Sequence, residues 1–164
     1  MNYHFKLLLS AGILAASMGI QTVQAAKTSI TIALQLEPPH LDPTSAAAGA
    51  IDSVLYSNVF EGLTRFASDG AVIPGLAKSW EISGDGKEYI FHLNSSVTFH
   101  DGSKMDASDV KFSLDRARAE DSTNAQKPLF SGIENVEVLS SDKVKVTLAS
   151  PNGSFLFNLS LIHI

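Results

Sequence analysis

The residues with most chemical potential gather in one stretch, His100-Asp101-Gly102 followed by Asp106 and Asp109. Three carboxylates beside an imidazole could bind a metal or share general acid–base work. Their spacing gives each carboxylate a simpler backbone role. Asp101-Gly102 is a turn dipeptide, because both residue types tolerate positive φ. Asp106-Ala107-Ser108-Asp109 places aspartates at the N-cap and N3 positions of a helix start, a pattern like a capping box. The cluster therefore reads as turn and cap rather than as a catalytic or metal site. The histidines His4, His40, His92, His100 and His163 are scattered, and His100 reads as a strand-end side chain at a turn. Trp80, alone of its kind, reads as core rather than as a stacking platform for a ligand. The absence of cysteine excludes disulfides, thiolate catalysis and Cys-ligated zinc. There is no GxSxG elbow, phosphate loop, HExxH or dinucleotide fingerprint. The residues thus predict neither an enzyme nor a cofactor.

The elements around that stretch follow from periodicity. Ser29 to Leu36 is short, apolar and partly β-branched, which predicts a buried strand ended by Pro38-Pro39. Ala46 to Phe60 is predicted helical, with Ile51, Val54, Leu55 and Val59 on one stripe and Gly62 ending it in a left-handed conformation. From Leu63 the period becomes two. Leu63–Phe66, Ala77–Ile82, Tyr89–Leu93 and Val97–Phe99 are strand candidates. Evenly spaced turns at Asp69-Gly70, Asp85-Gly86 and Asp101-Gly102 make them an antiparallel meander. A calcium-binding repeat would need a shorter period and more carboxylates per turn. The helix opened by Asp106 should bury Val110, Leu114 and Ala117. Its Lys111, Asp115 and Arg118 face outward at ion-pair spacing. Glu120–Lys127 is loop-like, Glu134–Leu139 and Lys143–Leu148 are strands, and Phe155–Leu159 begins a helix. Leu161 to Ile164 places large apolar side chains where the sequence offers them no visible partner, which predicts an interrupted chain.

The chain has 164 residues, 45% of them apolar and 18% charged, enough for one globular domain of α+β class. Its formal charge of -5 and lack of any Lys/Arg cluster argue against nucleic acid as a partner. Residues 1–25 have the layout of a secretory signal peptide, with Lys6, the apolar run Leu7 to Ile20, and Val23-Gln24-Ala25 before Ala26. The apolar run is shorter than the roughly 20 residues needed to span a bilayer. Cleavage between Ala25 and Ala26 and export to the periplasm are the expectation.

Pro74-Gly75-Leu76-Ala77-Lys78-Ser79-Trp80-Glu81 closely resembles the periplasmic solute-binding proteins of peptide-type ABC importers, the extracellular solute-binding family 5. The resemblance runs on through Asp85-Gly86, Tyr89 to Leu93, Val97 to Gly102 and Ala107 to Val110. Upstream, Glu37 to Pro43 and Asn58 to Leu63 also match, so that most of Ile30 to Leu159 is covered. Departures fall at Asn94, where arginine is usual, at Ser95-Ser96, which replaces a charged residue plus glycine, and at Lys104-Met105, which replaces proline and an apolar residue.

The resemblance implies the N-terminal part of a periplasmic-binding-protein type II fold, mainly the β-rich subdomain of the first lobe. Residues 26–44 would be the first strand and loop of that lobe, 45–160 the inserted β-rich subdomain, and 161–164 a truncated end. The implied function is binding and delivery of a small peptide or related solute to an inner-membrane ABC permease, by a monomer and without catalysis. A non-functional truncated remnant of such a protein is the alternative. Ser45, Ala46 and Ala47 are the local residues that the resemblance brings to the ligand cleft.

Overall fold

The computed structural model of the chain describes residues 29–45, 49–56 and 58–164. The signal segment expected over residues 1–25 and the cleavage expected between Ala25 and Ala26 lie outside the described residues, as do Ala46 and Ala47. The chain divides into two units, Met1–Ala33 and Leu34–Ile164. In the first unit, residues 29–33 form no regular structure and expose Ile30 and Ile32. The second unit opens the same way, with Leu34 and Leu36 exposed. The strand expected over Ser29–Leu36 is therefore absent. A strand is stabilised by its ladder, and the described strands pair only with one another.

In the second unit the elements are α1 (Gly49–Leu55), β1 (Thr64–Phe66), β2 (Val72–Pro74), β3 (Ala77–Ile82), β4 (Glu88–Leu93), α2 (Ala107–Arg118), α3 (Lys127–Phe130), β5 (Ile133–Ser140), β6 (Lys143–Leu148) and α4 (Phe155–Asn158). β1 and β2 form a two-stranded ribbon, and β3-β4-β6-β5 a four-stranded sheet. All described pairings within these sheets are antiparallel. The structure is thus α+β, as its residues imply.

Alternation decides which face of the sheet is buried. Tyr89, Phe91 and Leu93 on β4 and Val144, Val146 and Leu148 on β6 point into the core. Burying a side chain such as Phe91 stabilises by about 1.5–3 kcal/mol. Over them lie Val110, Leu114 and Ala117 of α2, with Phe130 and Phe155 from the short helices. The opposite face is polar. Lys145 reaches Glu137 at 3.2 Å and Glu88 at 3.8 Å, and His92 meets Glu81 at 2.8 Å.

The Asp-Gly signals are realised three times with one geometry. Gly70, Gly86 and Gly102 all have positive φ, at 84°, 69° and 86°. Their N–H groups donate to the carbonyls of Ala67, Ser83 and Phe99. Oδ1 of Asp69, Asp85 and Asp101 accepts from the backbone N–H two residues on. The turn at Asn94 is of the same kind, with Oδ1 accepting from the Ser96 N–H and hydroxyl. Of the pair Lys104-Met105, also noted above as a departure, Met105 is buried.

Three expectations need correction. Val97–Phe99 forms no strand but a single bridge between Thr98 and Lys104, so α2 interrupts the meander and β4 pairs with β6 instead. The first helix stops at Leu55, leaving Val59 exposed. Gly62 therefore caps nothing, and its φ is not positive. Its need is space: a Cβ there would lie 2.7 Å from the carbonyl oxygens of both Leu159 and Ser160. Gly75 is similarly constrained, with the Gly62 carbonyl oxygen 2.7 Å from an added Cβ.

The closing residues also have partners that the sequence did not reveal. Glu61 and Ile164 exchange two backbone hydrogen bonds, at 3.2 and 3.1 Å, and Ile162 is buried. Segment 61–64 is bound on both sides. Leu63 N–H donates to Leu159, while Leu76 and Ala77 donate to Gly62 and Leu63. The Thr64 hydroxyl donates to the Leu156 carbonyl at 2.6 Å.

Candidate functional site

The acidic stretch that invites a catalytic reading resolves into local structure. Asp106 Oδ1 accepts from the Ser108 N–H at 2.7 Å, and Asp109 Oδ2 accepts from the Asp106 N–H at 2.8 Å, completing the capping box. Asp101 is held by the Ser103 N–H and hydroxyl, and His100 is exposed beside it. Trp80 lies half-buried against the core, its ring centroid 6.5 Å from that of Phe91. Among the described residues no group of three or more His, Asp or Glu side chains could hold a metal ion.

The loop expected at the cleft is built around Asp42. Its Oδ1 accepts from both the N–H of Thr44, at 2.8 Å, and the Thr44 hydroxyl, at 2.7 Å. Pro43 within this turn and Pro39 ahead of it limit the backbone to extended and turn conformations, and the two hydrogen bonds select one. Those bonds, hydroxyl first and backbone second, hold the Asp42 carboxyl below its ordinary pKa. Ser45 follows, exposed, with its hydroxyl 3.4 Å from the His40 ring nitrogen Nε2.

Beside this loop is a cavity of about 220 Å³ whose walls include Thr44, Arg116, Asn124, Ile162 and His163. Arg116, from the last turn of α2, donates to the Thr44 hydroxyl at 3.5 Å. Asn124 is buried, its Oδ1 accepting from the Gln126 N–H at 2.8 Å. Both ring nitrogens of His163 are buried without a hydrogen-bond partner among the described residues. Burial lowers the pKa of this imidazole, with the charges of Asp52 and Asp42 acting weakly in the opposite sense. The cavity can take a small polar group, for which it offers a guanidinium, hydroxyls and an amide. Thr44 rather than Ser45 lines it. Sequence reasoning reached this loop but missed Arg116, Asn124 and His163, because no periodicity or motif connects three segments so far apart in the chain.

Comparison with known proteins gives this geometry a context. The family described as bacterial extracellular solute-binding proteins, family 5 Middle, matches residues 71–164. The glutathione-binding protein GsiB of Pectobacterium atrosepticum is 36% identical over 160 residues, covering 98% of this chain but 30% of that protein. Among solved structures, NikZ from Campylobacter jejuni in complex with Ni(L-His) aligns with a TM-score of 0.70 and 36% identity, over 79% of this chain and 26% of that one. The ABC transporter-associated periplasmic binding protein DppA from Helicobacter pylori, in complex with the peptide STSA, aligns with a TM-score of 0.65 and 26% identity, over 76% of this chain and 28% of that one. The chain therefore spans less than a third of the length of each of these relatives.

Proposed function

The chain belongs to the bacterial extracellular solute-binding proteins, family 5, and from that premise we propose that it acts in the periplasm as substrate-binding component of an ABC importer for peptides or similar small solutes. The family match over residues 71–164 carries this reading. Relatives whose names or structures specify glutathione, a short peptide or a nickel–histidine chelate support the class of solute. The work is binding and delivery to an inner-membrane permease by a monomer, with no covalent change in the solute.

On this reading residues 45–160 are the β-rich subdomain inserted in the first lobe, and 26–44 lead into it. Residues 1–25 direct export and are removed between Ala25 and Ala26. The loop Ser45-Ala46-Ala47 and the adjoining cavity contribute ligand contacts. Two observations support that placement: the Asx turn at Asp42 fixes the approach to Ser45, and Arg116 and Thr44 line the cavity beside it.

Equilibrium dialysis of the chain against glutathione, a mixture of di- to tetrapeptides and a nickel–histidine chelate tests the function. Saturable, stoichiometric retention of a peptide, weakened several-fold by Ser45→Trp, is expected. Release of hydrolysed peptide would overturn the binding role. Retention of none of the three would favour the remnant alternative.

A further inference from the structure

We propose that His163 is an acid-released latch: protonation drives the buried ring nitrogens of its imidazole out into the adjoining cavity and parts the Glu61–Ile164 backbone pair. Two geometric facts carry the proposal. First, both ring nitrogens are out of contact with solvent and lack partners among the described residues. Buried polar groups without partners are rare and costly, and the cost grows when the group becomes a cation. The ring lies perpendicular to Phe60, with centroids 6.0 Å apart and planes at 88°, a contact that supplies no lone-pair acceptor.

Second, the space into which the ring could move already exists. The cavity of about 220 Å³ has His163 in its wall beside Thr44 and Asn124, so a ring turned into it gains hydroxyl and amide neighbours. His163 is also flanked by Ile162, which is buried, and by Ile164, which exchanges two backbone hydrogen bonds with Glu61. Outward movement of the ring pulls on the second of these. Segment 61–64 is tied at the same time to Leu76, Ala77 and Leu159, so the latch holds one side of a strand-like segment whose other side stays bound.

The charged groups around the ring set the direction. Asp52 from α1 and Asp42 from the loop favour the imidazolium, while Arg116 from α2 and the exposed Asp121 line the cavity. Burial outweighs the two aspartates, so the folded-state pKa lies below the ordinary value. A histidine depressed in this way leaves the closed state intact above the unfolded pKa. Closure is lost as pH falls below that value, until the folded pKa is passed. One proton allows the open fraction to rise by up to about tenfold per pH unit within that window.

Hydrogen exchange of the Ile164 and Glu61 amides, corrected for intrinsic rates, should show protection falling between about pH 7 and pH 5, the range in which histidine titrates. The ring-nitrogen chemical shifts of His163 should titrate over the same range. In His163→Phe, which fills the same space without a proton site, protection should be independent of pH. An identical fall in His163→Phe would overturn the proposal, as would constant protection in the wild type. If that variant does not fold, the wild type alone decides, since amide protection that changes without His163 titrating is equally fatal.

Discussion

Asp42, Asp85 and Asp101 share one arrangement, in which a carboxylate accepts from a nearby hydroxyl and a backbone N–H. In each, the largest influence is the hydroxyl, from Thr44, Ser83 and Ser103 respectively, and the carboxyl is held below its ordinary pKa. Asp115 reaches the same direction differently. Partial burial alone would raise it, but hydrogen bonds from Lys111 at 2.6 Å and Arg118 at 2.8 Å outweigh that. A depressed carboxylate stabilises the fold above its unfolded pKa, and the contribution is lost as pH falls through the folded value. Asp115→Asn should therefore flatten the acid limb of a stability–pH curve below about pH 4, by about a few tenths of a kcal/mol given its exposure. Asp106 acts on backbone rather than on charge. Asp106→Ala should cost about 1 kcal/mol, read as a lower urea midpoint at unchanged slope.

At the scale of elements, the segment 61–64 is held by hydrogen bonds on both sides. Gly62→Ala pushes a methyl group against two backbone carbonyls that cannot rotate away. It should cost about 1–3 kcal/mol, as overpacked sites do, measurable by thermal or urea unfolding. Gly70, whose added Cβ would meet nothing, has only its positive φ of 84° to lose. Sequence reading assigns both glycines a positive φ, Gly70 in a turn and Gly62 at a helix end, and of the two only Gly70 has it. Turn glycines were legible because Asp-Gly is a local signal, and α2, β3 and β6 because their periodicity and caps are local too. Gly62 was not, since its neighbours Leu159 and Ser160 come from the far end of the chain. Ser29–Leu36 misled for a related reason: composition makes a strand possible, and only a neighbour makes one. The same limit applies to the site. Resemblance pointed to Ser45, beside the cavity, whereas Arg116 and His163 are brought to its wall by tertiary packing alone.

For the second unit as a whole, a four-stranded sheet with one apolar and one polar face is closed by helices on the apolar side. Such two-layer packing follows from alternation along β4 and β6 and from the stripe along α2. All six strands among the described residues lie between Glu61 and Ile164 in sequence, yet these two residues are paired in space. That pairing has a consequence for the order of assembly. Hairpins β3–β4 and β5–β6 close short loops, while joining Glu61 to Ile164 closes nearly the whole unit and so loses the most chain entropy. The seam should form after the folding barrier has been crossed and be the first to give way on unfolding. Leu159→Ala, within the seam, should then accelerate unfolding and barely alter the folding rate. Leu114→Ala, beneath the sheet, should slow folding as well. Denaturant-dependent kinetics would show the two effects on opposite arms of the chevron, and slower folding in Leu159→Ala would place the seam in the nucleus instead.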